Sequence, residues 1–516
     1  MPGGTILEAS EMMQFLKENR KFFPVGRLLA VIAVLVAAYP ACADYSRLGI
    51  PDSRDVRERV LSTWLEAPVA DIRARKPELM HDDAGNAFQV RAEESGKEIA
   101  VIIAPECGDG SYPPDAPGSW VLFRENAKNG KPLRLKLYFN KDSAVHAEFR
   151  NGDNKTFGDM IVFGCYAARS VPVGVSFRNL YTLSFDEVVD LTSATLPWAK
   201  VTAEAGQYES VLHMVDVIRT WVPHTVFSED ACYNEDGALY SIRLNEPLDA
   251  SAQAEECASA DEEENVYIKD PAQRDKPAQA GKGSGGAAKL SLSNAGFVKW
   301  VADGIIEPAT GTRTKISQMK SPTVNYNSLG KNGVTSQEWN ISFTLDWCRN
   351  LAVEALNARS SRRTYVYKMG TKDATGVDVD IKPFVADISG GNIVRTTGYT
   401  KDTGYSLREL KALLYVLAVT EPRYIYFGAI KQYSTEEDDV TASSRTNGKK
   451  SAGKSASDFV FNSCVVFMPY FDDEGRFNCR IFSSGTETDI DSFVASQKNA
   501  YVHLERVKSA ERFAPR

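Results

Sequence analysis

The sequence contains few of the residues on which most metal sites and many active sites depend. Histidine occurs only five times in 516 residues, and none of the eight cysteines belongs to a C-x-x-C pair. Zinc fingers and related sites need such ligands at short, fixed spacings. We therefore expect neither a metal nor a cofactor. The histidines are His81, His146, His213, His224 and His503.

The chain also lacks an excess of basic residues. It has 60 Lys and Arg against 68 Asp and Glu, which gives a formal net charge of -8. Nucleic-acid-binding proteins usually present a basic face, so we expect no nucleic-acid partner. The content of hydrophobic residues, 43%, and of charged residues, 25%, is that of a globular protein and excludes global disorder.

Long apolar runs are scarce, and the longest lies near the N-terminus. Residues 28–38 follow a basic stretch and precede Ala41-Cys42-Ala43. This order is typical of a secretory signal peptide over residues 1–43, and it predicts export to the periplasm or cell surface. An uncleaved anchor and lipidation at Cys42 are the alternatives. We expect no membrane span in the mature chain, because no later segment has about 18 consecutive apolar residues.

One long segment has almost no large apolar side chains. Residues 249–289 are acidic at first and then rich in Pro, Lys, Ala and Gly, so they cannot offset the entropy lost on ordering. We predict a disordered linker between a domain at 44–248 and a domain at 290–508. A long polar loop is expected at 434–458 and a tail at 509–516.

The first domain shows both helical and strand periodicity. Asp52 or Ser53 can cap an opening helix, and residues 208–221 have a helical apolar stripe. Residues 133–139 alternate between apolar and polar side chains, as a half-buried strand does. We predict an α+β domain with an antiparallel sheet.

The second domain begins with helices and ends with strands. Asn294 is predicted to cap the first helix, and residues 344–359 form the second. A third helix begins at the Ser406-x-x-Glu409 capping box. Helices followed by an antiparallel sheet again indicate an α+β fold. The predicted strands are 423–431, 459–468, 477–482 and 500–507.

Residues 293–301, S-N-A-G-F-V-K-W-V, resemble the opening of the NlpC/P60 family of papain-like cell-wall peptidases. Members of this family begin the domain with D-C-S-G-F or D-C-S-G-L, followed by an amphipathic helix. The resemblance implies a papain-like fold with a cysteine nucleophile at the helix start. A histidine base on a strand and a polar orienting residue on the next strand are also implied.

The chain departs from this motif at the positions that carry the chemistry. Asn294 stands where the family has its cysteine, the base position falls near Asn462 or Ser463, and the third polar position falls near Asn478 or Arg480. None of these groups is a general base at neutral pH. We therefore predict an inactive site in which Asn294, Ser463 and Asn478 lie close together.

Three functions follow as hypotheses. The first is an exported cell-envelope protein whose inactive NlpC/P60-like module binds peptidoglycan peptides or an envelope protein. The second is an active cell-wall cysteine peptidase that uses a Cys348–His503 pair. The third is a surface interaction protein that acts through its N-terminal domain.

Overall fold

The computed structural model of the protein describes residues 48–248, 290–324, 343–366, 376–389, 392–395, 398–433 and 459–516, apart from the single residues 129, 153 and 498. The predicted signal peptide with Cys42, the predicted linker and the predicted polar loop lie outside the described residues.

The helices are short, and the longest described helix, α5, has 17 residues. Within the described ranges no helix is both long enough and apolar enough to cross a membrane. The α-helices are α1 (Arg54–Val60), α2 (Val69–Ala74), α3 (Phe185–Thr192), α4 (Glu209–Trp221), α5 (Asn294–Thr310), α6 (Ile316–Met319), α7 (Phe343–Ala358), α8 (Leu410–Thr420) and α9 (Ile490–Ser496).

The strands are paired almost entirely in antiparallel fashion. In chain order they are β1 (Glu78–His81), β2 (Ala87–Ser95), β3 (Glu98–Pro105), β4 (Trp120–Glu125), β5 (Pro132–Tyr138), β6 (Val145–Asn151), β7 (Thr156–Val162), β8 (Cys165–Pro172), β9 (Thr225–Phe227), β10 (Ala231–Tyr233), β11 (Leu239–Ser241), β12 (Leu290–Leu292), β13 (Asp387–Ser389), β14 (Asn392–Arg395), β15 (Tyr405–Ser406), β16 (Tyr424–Tyr433), β17 (Phe459–Phe471), β18 (Phe477–Ser483), β19 (Thr486–Asp489) and β20 (Tyr501–Lys508). Helices and antiparallel sheets together make an α+β protein, as predicted.

The chain divides into two compact units. Of the described residues, the first unit contains those up to Leu133 together with Arg178–Val188, and the second contains those within Arg134–Phe177 and Val189–Arg516. In the first unit β1–β4 form an antiparallel meander. Ser53 caps α1, as the sequence allowed: its side chain accepts a hydrogen bond from the N–H of Val56.

The second unit contains a meander of β5–β8 and a six-stranded antiparallel sheet in the order β15-β20-β16-β17-β18-β19. The alternation predicted at 133–139 is confirmed, since Leu135 and Leu137 are buried while Arg134, Lys136 and Tyr138 are partly exposed. Helix α7 packs against the six-stranded sheet through Thr344, whose hydroxyl donates to the carbonyl oxygen of Phe461 at 3.3 Å.

This division into units differs from the predicted boundary between 248 and 290. Strand β9 pairs in parallel with β12, and Ser293 donates its N–H to the carbonyl oxygen of Ala231 at 2.9 Å. The hydroxyl of Tyr415, on α8, donates to the carbonyl oxygen of Val201 at 2.6 Å. Residues 189–248 therefore pack with the C-terminal half of the chain, because their apolar and hydrogen-bonding groups find partners there.

The C-terminal residues 509–516, predicted to be a tail, also belong to the packed structure. Phe513 is buried, and the N–H of Ala514 donates to the carbonyl oxygen of Gly304, on α5, at 3.1 Å. The segment thus covers the middle of α5.

Candidate functional site

Helix α5 begins at the position that the resemblance singled out, but its cap is Ser293. The Ser293 hydroxyl accepts a hydrogen bond from the N–H of Gly296 at 3.0 Å and donates to the carbonyl oxygen of Ala231 at 3.0 Å. The prediction that Asn294 is the cap is wrong by one residue. Because the Ser293 hydroxyl already accepts a hydrogen bond from a backbone N–H at the helix N-terminus, the side chain of Asn294 is free to contact other elements.

Asn294 lies against the strand that was predicted to carry the base position. Its Nδ2 donates to Oγ of Ser463, on β17, at 3.2 Å. Its Oδ1 accepts a hydrogen bond from the N–H of Ser484 at 3.2 Å. Asn294 and Ser463 are both half-buried, so solvent reaches the cluster. The predicted proximity of these two residues, which are far apart in sequence, is confirmed.

Asn478 does not join them, and this part of the prediction is wrong. The β17–β18 register pairs Asn478 with Tyr470, seven residues along β17 from Ser463, which is about 23 Å at the rise of a strand. The Nδ2 of Asn478 instead donates to Asp472, in the hairpin turn, at 3.1 Å. Arg480 pairs with Met468 and is also distant. Asn478 is the second residue of β18, so it lies beside the hairpin turn, at the end of the β17–β18 pair that is distant from Ser463.

The third polar group at the site is Ser484, which sequence reasoning missed. Ser484 follows the last residue of β18 and is buried, and its hydroxyl donates to the carbonyl oxygen of Leu292 at 2.6 Å. The β17–β18 register, continued beyond the pair Val466–Phe482, places Ser484 opposite Cys464, next to Ser463. The cluster of Asn294, Ser463 and Ser484 is called the Asn294 cluster below.

A second polar group of residues surrounds His503, on β20. The imidazole Nδ1 lies 2.6 Å from Oε1 of Glu505, and Nε2 lies 3.0 Å from the hydroxyl of Tyr399 and 3.3 Å from a guanidinium nitrogen of Arg349. Arg349 also contacts Asp378 at 2.7 Å and Asp402 at 2.9 Å. His503 and Glu505 are fully buried. We call these six residues the His503 network.

Burial controls the protonation of this network. It lowers the pKa of His503 to about 4, although the nearby carboxylate of Asp378 opposes the shift. It raises the pKa of Glu505 well above its ordinary value, and Asp378 adds to that rise. We therefore interpret the His503–Glu505 contact as a hydrogen bond between neutral groups, even though its distance would also suit an ion pair.

The structure does not favour a Cys348–His503 pair. Burial raises the pKa of the Cys348 thiol well above its ordinary value, and a hydrogen bond with Cys464 adds to the rise. The described contacts of both ring nitrogens of His503 go to Glu505, Tyr399 and Arg349. Both Cys348 and His503 are fully buried. A thiolate nucleophile needs a lowered pKa and access to substrate, and Cys348 has neither.

The His503 network also contains the one set of potential metal ligands found in the described residues. Ligand atoms of Asp378, His503 and Glu505 lie within 4.8 Å of one another. The guanidinium of Arg349, however, lies at hydrogen-bond distance from both Asp378 and His503. A cation at this place would have to displace Arg349, so the geometry favours a self-contained network over a metal centre.

Thiol accessibility gives a first testable prediction. Of the six described cysteines, Cys107 is partly exposed and the others are buried. We expect a neutral-pH alkylating reagent to label Cys107 in the folded protein and to label Cys348 only after denaturation, because alkylation requires an accessible thiolate. Peptide mass spectrometry with and without urea measures this. Fast labelling of Cys348 in the folded protein would instead support the peptidase hypothesis.

The His503–Glu505 pair predicts a second observable, the pH dependence of stability. In the folded state Glu505 keeps its proton and His503 stays neutral, whereas the unfolded groups titrate near 4.5 and 6.5. Between those values each state holds one proton on the pair, so the effects of the two groups cancel. Above about pH 6.5 only the folded state retains that proton, and the contribution of the pair to the unfolding free energy falls as pH rises.

The variant Glu505→Gln separates the contributions of Glu505 and His503 to the pH dependence of stability. It leaves only His503, whose lowered pKa makes stability fall as pH decreases from about 6.5 to 4. Urea unfolding of both proteins at about pH 5, 7 and 8.5 should therefore give a stability difference that changes with pH. A difference that is constant over this range would contradict the assigned protonation states.

Comparisons with known proteins identify one part of the chain. A family described as a domain of unknown function (DUF8515) matches residues 46–200, which is less than a third of the chain and includes β1–β8. The comparisons with curated proteins and with solved structures give no match. No NlpC/P60 family matches either, so that resemblance stays a prediction.

Proposed function

We propose that the C-terminal part of the second unit is a papain-like module of the NlpC/P60 type that binds peptide without cleaving it. The hydrogen bond of 3.2 Å between Asn294 and Ser463 is the observation that carries this proposal. In the papain-like arrangement the start of the first helix meets the strand that bears the base. Here the start of α5 meets β17 at the two positions that the resemblance assigns to the nucleophile and the base.

The chemistry of the Asn294 cluster favours binding over hydrolysis. The amide of Asn294 and the hydroxyls of Ser463 and Ser484 are neutral, and none of them is a general base at neutral pH. Asn294 and Ser463 do offer hydrogen-bond donors and acceptors where solvent reaches them, which suits the main-chain groups of an extended peptide. The first turn of α5 is also fixed from α7, since the indole of Trp347 donates to the carbonyl oxygen of Ala295 at 2.9 Å.

The proposed ligand follows from the proposed location. The signal-peptide pattern at residues 1–43 supports export to the periplasm or cell surface, with a lipid anchor at Cys42 as the alternative. Peptidoglycan peptides are the ligands that NlpC/P60 modules meet in that compartment. We therefore propose peptidoglycan peptides as the ligand, with an envelope protein as the alternative partner.

Calorimetric titration of the full chain with a soluble disaccharide-peptide from peptidoglycan tests this function, together with chromatography of the incubated fragment. We expect saturable binding and no cleavage. Asn294→Ala should weaken binding about tenfold, which corresponds to the loss of one or two hydrogen bonds. Asn462→Ala is the matched control, because Asn462 is exposed and lies next to Ser463. Cleavage by the native protein, or equal affinities of the two variants, would contradict the proposal.

A further inference from the structure

A polar cavity of about 260 Å³ lies elsewhere in the second unit, apart from the residues of the Asn294 cluster and the His503 network. It opens where the start of α4, the residue after α7, and the adjacent ends of β16 and β20 come together. Tyr424 and Lys508 are paired across those strand ends. The charged residues that line the cavity are Glu209, Arg359, Arg423, Lys508 and Glu511, with His213 beside them.

Three of the lining side chains are cations from three different segments. Arg359 follows α7, Arg423 precedes β16, and Lys508 ends β20; all three are exposed. None of them forms an ion pair with any residue that the structure describes. Glu209 and Glu511 line the same cavity without forming an ion pair with these cations, so three cations face two carboxylates, and an anion bound between the cations would relieve their mutual repulsion.

Hydrogen bonds of the buried residue Ser509 hold together the segments that line the cavity. Ser509 is 3% exposed, and its Oγ donates to the carbonyl oxygen of Arg423 at 2.8 Å. The hydroxyl of Ser210, on α4, lies 2.6 Å from Oγ of Ser509. A guanidinium nitrogen of Arg359 donates to the carbonyl oxygen of Ser509. Ser509 thus ties the segments that carry the cations together before any ligand arrives, which lowers the ordering cost of binding.

We propose that this cavity binds a small phosphate monoester. Two guanidinium groups offer paired N–H donors that match phosphate oxygens, and Lys508 adds a third positive charge. A phosphate dianion matches three cations better than a singly charged carboxylate does. Glu209 and Glu511 line the same cavity and would accept hydrogen bonds from hydroxyl groups on the rest of the ligand.

The test is calorimetric titration of the full chain with glycerol 3-phosphate, with acetate in a parallel arm at the same ionic strength. We expect saturable binding of the phosphate ester and at least about tenfold weaker binding of acetate. Arg423→Gln and Lys508→Gln should each weaken the phosphate ester about tenfold, because each removes a charged contact. Lys382→Gln, at an exposed lysine outside the cavity, is the matched control and should bind as the native protein does.

Several outcomes would overturn the proposal. They are the absence of saturable binding, equal binding of acetate, and equal losses in Lys382→Gln and the cavity variants. Thermal unfolding of each variant checks folding, since Arg423 and Lys508 project exposed side chains whose removal leaves the buried Ser509 contacts in place. This test is independent of peptide binding at the Asn294 cluster, so either proposal can fail alone.

Discussion

Replacing Gly296 by alanine is expected to lower the free energy of unfolding of the second unit by about 3 kcal/mol. A Cβ atom at this position would lie 2.1 Å from the carbonyl oxygen of Ala231. That oxygen cannot retreat freely, because it also accepts hydrogen bonds from the N–H and the hydroxyl of Ser293. The start of α5 must therefore move away from β10, and Asn294 must move with it.

Chemical denaturation measures the stability loss, and the peptide titration measures the displacement of Asn294. Gly398→Ala is the matched control, because a Cβ atom at Gly398 would meet nothing within 4 Å. We expect that control to change stability by no more than about 0.5 kcal/mol. A Gly296→Ala protein as stable as the control would mean that α5 does not approach β10 so closely.

Replacing Arg349 by methionine is expected to cost about 4 kcal/mol, the largest effect that we predict. Arg349 is 3% exposed and contacts the carboxylates of Asp378 and Asp402. Methionine keeps much of the side-chain volume but removes the positive charge. The two carboxylates would then lose the guanidinium that lies between them, and one of them would have to be protonated or move into water.

Urea unfolding of Arg349→Met and of the control Arg408→Met tests this expectation. Arg408 is exposed and lies in the 3₁₀ turn before α8, so the same change there should alter stability by no more than about 0.5 kcal/mol. Because protonation of a freed carboxylate relieves the cost, the loss in Arg349→Met should shrink at acidic pH. A loss below about 1 kcal/mol at neutral pH would contradict the role assigned to Arg349.

Gly296→Ala and Arg349→Met test two different structural roles within the second unit. Gly296 positions the Asn294 cluster through backbone packing, and Arg349 neutralises the half-buried carboxylates of Asp378 and Asp402 beside His503. Asn294 and Ser463 of that cluster are half-buried and reached by solvent, whereas His503 and Glu505 are fully buried. This contrast supports peptide binding at the Asn294 cluster and a stabilising role for the His503 network.

The sequence predicted features that depend on near neighbours. Helix α4 was expected over 208–221 and is found at Glu209–Trp221, because its apolar stripe and length are local properties. Residues 184–187, S-F-D-E, have the capping-box pattern. The box forms in both directions, since Ser184 and Glu187 are three residues apart. The strands β16, β17, β18 and β20 also lie where apolar runs between turn residues indicated them.

One long-range contact was also predictable, but the position of a third residue was not. The meeting of Asn294 and Ser463 followed from the family resemblance of the first helix. The position of Asn478 did not follow, because Asn478 comes directly after Phe477, which pairs with Phe471 at the hairpin turn, whereas Ser463 lies eight residues before Phe471 on β17. The two residues are therefore near opposite ends of the β17–β18 pairing.

The sequence by itself determined the α+β class, the helices α1, α4, α5, α7 and α8, and the strands β5, β16, β17, β18 and β20. The family resemblance of the first helix pointed to the contact between Asn294 and Ser463. Only the tertiary structure decided that β9 pairs with β12, that Ser484 completes the Asn294 cluster, and that Arg349 lies between Asp378 and His503. The physical reason is the range of the interactions. Helix caps and hydrophobic periodicity depend on residues that are close in sequence. These contacts join segments far apart in the chain, and no local sequence pattern indicates which distant segments will meet.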